Sequence, residues 1–285
     1  MPCYLCGSTR FRHRDGEVRD DPALKIVECL DCGLVSLSSL DHIQTGHYEA
    51  GGMHGDSVIP LDSWLRETET DDGRRFDMLR SEIANRRVLD FGCGAAGFLL
   101  KAQSMAASVA GVEPETRVRK HWEGRIPIHS DLDEAGGEFD LITAFHVVEH
   151  LPDPRVVLRQ LSAALAMSGR LVVEVPSAED ALLTLYESPD FQRFTYWSQH
   201  LYLFSPATMH RLAVQAGLRV VAIRQVQRYP LSNHLHWLSK GKPGGHQRWG
   251  FLNTEALAAA YEAALAGLGK CDTIVAYLEK PEAHT

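Results

Sequence analysis

Residues 88–100 read VLDFGCGAAGFLL. The apolar opening reads as a buried strand. Gly92, Gly94 and Gly97 then follow in G-x-G-x-x-G spacing, and GFLL starts a helix. A strand, a glycine loop and a helix in that order open a doubly wound α/β sheet, which holds its ligand at the carboxyl ends of the strands. The glycines alone do not name the ligand. The position two before the first glycine is more informative, and here it is Asp90. In nicotinamide-binding folds that position is normally apolar, because it packs under the sheet. A carboxylate at the mouth of the first strand instead suits a cationic, hydrogen-donating ligand.

S-adenosylmethionine has that character, with an ammonium group and a sulfonium. Asp90 is placed to hold its amino acid end, and Gly92 and Gly94 let the backbone come close. Glu113, ending VAGVEP, can accept both hydroxyls of an adenosine ribose. HSDL, ending the third strand, supplies Asp131 for the adenine amine, with Leu132 beside it.

The rest of the chain keeps the rhythm. Strands are predicted at 87–92, 108–113, 126–130, 139–145 and 170–175, with helices at 97–107, 115–123 and 154–166 between them. Strands at 218–227 and 273–279 close the sheet. Seven strands, the last pair including a reversed one, exceed the six of a simple dinucleotide fold. Residues 87–176 resemble a class I S-adenosylmethionine-dependent methyltransferase, through VLDFGCGAAGFLL, GVEPE, HSDL, FDLITAFHVVEHLPDP and GRLVVEVP in order. The family usually has glycine where this chain has Ala96. The resemblance implies an α/β, Rossmann-like seven-stranded sheet.

In this chemistry the donor methyl is already activated. The protein has to hold the acceptor in line and remove a proton where needed. FHVVEHLPDP, at the end of the fourth strand, brings His146, Glu149 and His150 to the carboxyl edge of the sheet. His150 is the first candidate for a general base, because an unperturbed imidazole titrates near working pH, and Glu149 is its candidate orienting group. YWSQHLYLFSP, residues 196–206, adds His200 among aromatics, either as a contact to the acceptor or as packing of a loop against the sheet. Residues 228–249 read as an open basic connection around GKPGG. Helices are predicted at 207–216, ending at Gly217, and at 254–269, capped by Thr254, whose many alanines suggest close packing and a homodimer.

The N-terminus carries a second motif. Cys3 with Cys6 and Cys29 with Cys32 form two C-x-x-C pairs, each followed by glycine, Gly7 and Gly33. One tight turn presents two thiolates to a tetrahedral ion, and glycine suits the positive φ such a turn needs. Two such turns make a four-thiolate zinc ribbon. With no open coordination position, the zinc is expected to be structural. The predicted organisation is a ribbon over 1–40, a linker with a cofactor-covering helical segment over 41–86, and the methyltransferase domain over 87–285. Acceptor-binding insertions are expected near 177–206 and 228–270. Helix 62–84 leads into the first strand, and Tyr48 is a candidate contact to the cofactor. Cys93 and Cys271 read as packed thiols.

The ribbon joined to such a core is similar to bacterial enzymes that methylate nucleotide-linked sugars, which implies a sugar or related small metabolite as acceptor. A ribosomal or transfer RNA methyltransferase with a zinc module is the competing enzyme class. A formal net charge of −8 over 285 residues argues against a long polyanion, as does the alternation of Arg10, Arg12, Arg14 and Arg19 with Asp15, Glu17, Asp20 and Asp21. A non-catalytic zinc-ribbon binding protein on a degenerate fold is the third reading. No apolar run reaches membrane-spanning length and no basic segment leads into an apolar one at the N-terminus, so the expected location is the cytoplasm, with no membrane partner.

Overall fold

The computed structural model describes residues 1–43 and 59–281. Tyr48 lies outside the described residues. The chain begins with a small antiparallel meander of β1 (Phe11–His13), β2 (Ile26–Cys29) and β3 (Val35–Leu37). Two helices follow, α1 (Leu61–Met78) and the short α2 (Arg80–Ile83).

The α/β unit then runs β4 (Arg87–Phe91), α3 (Gly97–Ala102), β5 (Ser108–Val112), α4 (Thr116–Trp122), β6 (Ile128–His129), α5 (Leu132–Ala135), β7 (Phe139–Phe145), α6 (Pro154–Ala164) and β8 (Leu165–Pro176). The chain continues through α7 (Ala181–Thr184), α8 (Pro189–Thr195), β9 (Tyr202–Leu203), α9 (Pro206–Gln215), β10 (Arg219–Val226), α10 (Leu231–Lys240), α11 (Gly245–Arg248), α12 (Glu255–Leu268) and β11 (Thr273–Glu279).

The large sheet has the order β10-β11-β8-β7-β4-β5-β6. β4 pairs in parallel with both β5 and β7, while β11 lies antiparallel to β8 and β10, so β11 is the reversed strand. The strand order turns back on itself between β4 and β7, which places the ligand crevice beyond their carboxyl ends. Both faces of the sheet are covered, and its central strands read accordingly as near-continuous apolar runs. Val88, Leu89, Leu141, Ile142, Leu171, Val172, Val173 and Val175 are all fully buried.

Local chemistry sets the element ends. Asp153 caps α6 with Pro154 at its first turn, and Ser205 caps α9 in a capping box with Thr208. Thr254 caps α12, and Gly269 ends it in the left-handed conformation, as the sequence predicts. The predicted helix 97–107 stops at Ala102; two residues on, the Ser104 hydroxyl takes the Lys101 carbonyl. The predicted third strand shrinks to Ile128–His129, because Pro127 has no N–H for a ladder. The predicted helix 62–84 breaks at Leu79 into α1 and α2.

The open basic connection predicted at 228–249 is corrected: residues 231–240 form α10, with Asn233, His234, His236 and Trp237 buried. Its polar groups find local partners, which makes their burial tolerable. His236 Nδ1 donates to the Lys242 carbonyl at 2.7 Å, and Asn233 Oδ1 accepts from the Gly244 N–H at 3.3 Å.

The N-terminal meander does not stand apart from the α/β unit. β9 adds to its edge, pairing Leu203 with Val35 and Tyr202 with Ser36. Leu34, Val35 and Leu37 belong to the same apolar cluster as Leu201, Phe204, Met209 and Leu212. Tyr4 lies 5.3 Å, centroid to centroid, from the buried Tyr202 ring. Burying each such large apolar side chain contributes on the order of 1.5–3 kcal/mol, so the small sheet is fastened to the large one by packing as well as by strand pairing.

Candidate active site

A cavity of about 600 Å³ opens at the carboxyl ends of β4, β5 and β7. Asp90, Gly92, Gly94, Glu113, Asp131, Leu132, His146 and His150 all line it, so the strand-end residues predicted from sequence converge on one space. Glu149 and His200, also predicted from the sequence, are not among the lining residues.

One half of the cavity is built by the loop after β4. Gly92 and Gly94 both have positive φ, +74° and +50°, and a Cβ on Gly94 would stand 2.9 Å from the Trp64 ring. Ala96 takes φ +66° despite its side chain and begins α3. Asp90 is 3% exposed, and its Oδ1 accepts from the Thr143 hydroxyl at 2.7 Å. Burial pushes its pKa up to about 7, against the Thr143 hydrogen bond and the Arg75 charge. A buried carboxyl held near its titration point is stabilised as an anion by a cation placed beside it, which matches an ammonium or sulfonium group. Glu113 Oε2 accepts from the Gly94 N–H and Oε1 from the Glu115 N–H, both at 3.0 Å. Those two bonds fix the carboxylate, and each oxygen keeps a lone pair for a hydroxyl. Burial raises this pKa as well, partly offset by the two N–H donors. Asp131 stands at the mouth as the cap of α5, accepting from the Glu134 N–H at 3.0 Å and the Ser130 hydroxyl at 2.9 Å.

Helix α1 forms one wall, supplying Trp64, Thr68, Asp71, Asp72 and Arg75. The buried residues of this helix are Asp72 and Arg75, so it turns a charged face inward. Arg75 donates to Glu174 Oε1 through Nε at 3.0 Å and Nη2 at 2.7 Å, and Arg74 Nη2 reaches the same carboxylate at 2.8 Å. Burial pushes Glu174 up, but the Arg75 and Arg74 guanidiniums outweigh that and hold it well below the usual carboxylate range. Sequence reading missed this network. Its signal is a glutamate inside the apolar run LVVEVP, since a buried charge requires a partner.

His146 sits at φ +55°, with both ring nitrogens engaged. Nδ1 is 3.1 Å from Glu149 Oε1, and Nε2 is 3.0 Å from Arg228 Nη1. A guanidinium only donates, so Nε2 accepts and Nδ1–H donates to Glu149. The 3.3 Å approach of Nε2 to Glu174 then has no proton to share. Arg228 is itself ion-paired with Asp71.

His150 is differently placed. Its Nδ1 donates to the Gln199 carbonyl at 2.8 Å, so in the neutral ring the lone pair lies on Nε2. Nε2 is 3.9 Å from Glu149 Oε1. Burial lowers the His150 pKa below its ordinary 6.5, only partly opposed by Glu149 and the Gln199 carbonyl. His200 lies behind it, ring centroids 4.9 Å apart, its pKa lowered to about 3 by burial and then by His150. Trp197 closes the group, edge-on to both imidazoles.

At the N-terminus, the four thiols of the C-x-x-C pairs converge. Cys3 Sγ lies 3.5 Å from Cys32 Sγ, and Cys6 Sγ lies 3.5 Å from Cys29 Sγ. All four fall within 4.8 Å of one another. The two turns are built alike: Gly7 N–H donates to Cys3 O and Gly33 N–H to Cys29 O, at φ +73° and +77°. Cys93 and Cys271 are buried, as the sequence predicts.

Comparisons with known proteins agree with this geometry. A family model described as a methyltransferase domain matches residues 66–223. Ubiquinone biosynthesis O-methyltransferase of Pseudomonas aeruginosa is 26% identical over 231 residues, covering 70% of this chain and 92% of that protein. The Bordetella avium enzyme of the same name is 26% identical over 172 residues, covering 54% of this chain and 70% of its own. Among solved structures, an S-adenosylmethionine-dependent methyltransferase from Archaeoglobus fulgidus superposes with a TM-score of 0.50 at 21% identity, covering 76% of this chain and 99% of that one. Among the described residues no helix is long and apolar enough to cross a membrane. With half of its length matched by the family model and its glycine loop and acids gathered at one crevice, the chain belongs to the methyltransferase domain family and is an S-adenosylmethionine-dependent methyltransferase.

Proposed function

We propose that the chain methylates a small-molecule acceptor at a group that must lose a proton, with His150 as general base. The observation that carries this reading is the 2.8 Å bond from His150 Nδ1 to the Gln199 carbonyl, on an imidazole that lines the cavity. That bond keeps the basic lone pair on Nε2, and burial keeps the ring neutral at working pH. Glu149 beside it stabilises the imidazolium formed when the proton is taken. His146, with its ring engaged by Glu149 and Arg228, and His200, behind His150, act as supports.

In the cofactor half, Asp90 takes the cationic amino acid end, and Gly92 and Gly94 allow close approach. Glu113 takes the ribose hydroxyls, and Asp131 and Leu132 take the adenine end. S-adenosylmethionine, when bound, supplies an activated methyl on a sulfonium. The acceptor we favour is a hydroxyl on a sugar, a nucleotide-linked sugar or a related metabolite. A hydroxyl acceptor is in keeping with relatives named O-methyltransferases.

At the N-terminus, Cys3, Cys6, Cys29 and Cys32 would hold a structural zinc. Thiolates 2.3 Å from a tetrahedral ion stand about 3.8 Å apart, close to the 3.5 Å spacings here.

A second reading of the acceptor half has one observation in its favour. Glu149, His150 and His200 each present a donor atom within 4.8 Å of the others, and Glu149 Oε2 and His200 Nδ1 are buried without a hydrogen-bond partner. Such a set suits a divalent ion that would itself activate a hydroxyl.

One screen tests both. Purified protein is incubated with S-adenosylmethionine and panels of nucleotide sugars, phenols and short RNAs, with and without added Mn²⁺ or Zn²⁺, and methyl gain is read by mass. Turnover of a small hydroxyl compound without added metal supports the base. Strict dependence on added metal supports the second reading. Methylation confined to RNA would overturn the small-molecule proposal.

A further inference from the structure

We propose that Asp20, an exposed residue of the N-terminal meander, is a positioning residue for His150. This rests on His150 being the base, and it assigns the meander a role in the reaction beyond holding a metal.

Asp20 lies on the connection between β1 and β2, 178 residues from Ser198, yet it grips that residue twice. One carboxylate oxygen accepts from the Ser198 N–H at 2.9 Å and the other from the Ser198 hydroxyl at 2.6 Å. On the other side of the same residue, His42 Nε2 donates to the Ser198 carbonyl at 2.7 Å. The next carbonyl along the chain is that of Gln199, which receives His150 Nδ1–H. Two residues further, the Leu201 N–H donates to the Glu149 carbonyl at 2.9 Å, and the Leu201 carbonyl accepts from Leu37 N–H at 3.1 Å. Residues 198–201 are therefore a short bridge. One rail is the meander, through Asp20, His42 and Leu37. The other is the turn that carries Glu149 and His150. Arg19 reinforces the same rail, its N–H donating to the Tyr196 carbonyl at 3.0 Å and its guanidinium lying 4.6 Å from the Trp197 ring centroid.

The consequence is chemical as well as mechanical. The position of the Gln199 carbonyl decides which imidazole nitrogen of His150 carries the proton. If that carbonyl moves, Nδ1–H loses its acceptor and the ring is free to carry its proton on Nε2, where it is no longer a base toward the cavity. A shift of about 1 Å at a reacting group costs on the order of 100-fold in rate. The cofactor half draws on α1 and the loops after β4, β5 and β6, and among the described residues the hydrogen bonds of Asp20 go to Ser198 instead. The signature of this role is thus a loss of turnover with cofactor affinity intact.

The test uses the full chain labelled with ¹⁵N-histidine and the variants Asp20→Ala, Asp20→Asn and Ser198→Ala, with His150→Gln to assign the His150 signals. The wild type should show His150 in the Nδ1–H form. Asp20→Ala should shift its ring signals toward Nε2–H, lower methyl transfer at least tenfold and leave the dissociation constant for S-adenosylhomocysteine within about twofold. Asp20→Asn, which keeps one acceptor oxygen, should restore much of the wild-type signal, and Ser198→Ala should shift it less than Asp20→Ala. Unchanged His150 signals in folded Asp20→Ala and Ser198→Ala would overturn the positioning role. Shifted signals with undiminished methyl transfer would support the positioning and overturn His150 as base, so the two failures are distinct.

Discussion

His150 Nδ1 and the carbonyl oxygen of Gln199 stand 2.8 Å apart, and that contact joins a residue at the end of β7 to a segment held by the N-terminal meander. It makes the His150 side of the cavity a joint product of two sheets, whereas the side lined by Asp90 and Glu113 belongs to the large sheet and α1.

The pH dependence of methyl transfer follows from this contact. Burial lowers the His150 pKa below 6.5, so the ring is neutral and basic at pH 7. Turnover should fall as the ring protonates on acidification, with a midpoint below 6.5. A profile of kcat at saturating cofactor measures it. A midpoint above 7 would contradict the assignment.

Cofactor affinity should depend on pH for a different reason. Burial holds Asp90 near pKa 7 in the free protein, and Glu113 is raised in the same direction. The ligand's ammonium beside Asp90 and its ribose hydroxyls at Glu113 favour the ionised carboxylates, so binding releases protons and tightens as pH rises. Calorimetry with S-adenosylhomocysteine should show a dissociation constant about tenfold lower at pH 8 than at pH 6. Asp90→Asn should bind more weakly and keep only the smaller dependence due to Glu113. An Asp90→Asn protein with wild-type affinity and slope would refute the role given to this carboxylate.

Gly94 combines a left-handed backbone with a close neighbour. At φ +50°, a Cβ would stand 2.9 Å from Trp64 on α1. Gly94→Ala should therefore push α1 away from the loop and weaken S-adenosylhomocysteine binding at least tenfold, while far-ultraviolet dichroism stays unchanged. Retained affinity would show that α1 does not form the wall of the cofactor pocket in solution.

Glu174 is fully buried between Arg74 and Arg75. Its pKa lies well below 4.5, so its contribution to stability is present above that ordinary value and is lost as pH falls through the depressed one. Glu174→Gln leaves the buried Arg75 with Asp72, 3.7 Å away, as its remaining carboxylate partner, at a cost of about 3 kcal/mol, the low end for a broken buried pair. Urea unfolding at pH 7 should show a loss of that order. A loss under about 1 kcal/mol would mean that water reaches the arginines.

The purified protein should carry one zinc per chain, bound by the four convergent thiols. Cys29→Ser should lower zinc content and thermal stability, while S-adenosylhomocysteine binding is kept, because Asp90 and Glu113 sit on the other sheet. Elemental analysis with calorimetry checks both. Zinc-free wild-type protein would contradict the ribbon.

Much of this molecule was legible in its sequence. The glycine loop, Asp90 and Glu113 announce themselves because strand ends and tight turns constrain residue type locally, and the paired C-x-x-C-G turns do so for the same reason. What escaped was non-local. The inward charged face of α1 breaks the rule that a helix buries its apolar side, so periodicity gives no sign that Asp72 and Arg75 are buried. β9 has only two residues, too few for a period to register. The bond from Asp20 to Ser198 spans 178 residues, and no local pattern signals it. Residues 228–249 misled because Lys, Gly and Pro dominate their end, while the buried residues of α10 just before, Ser232, Asn233, His234, His236 and Trp237, are mostly polar.

The most direct measurement is methyl gain on a small hydroxyl acceptor by wild type and His150→Gln at pH 7.5, alongside S-adenosylhomocysteine affinity for both. His150→Gln should lose at least about 100-fold in turnover with affinity unchanged within twofold. Wild-type turnover by the variant would contradict His150 as the base.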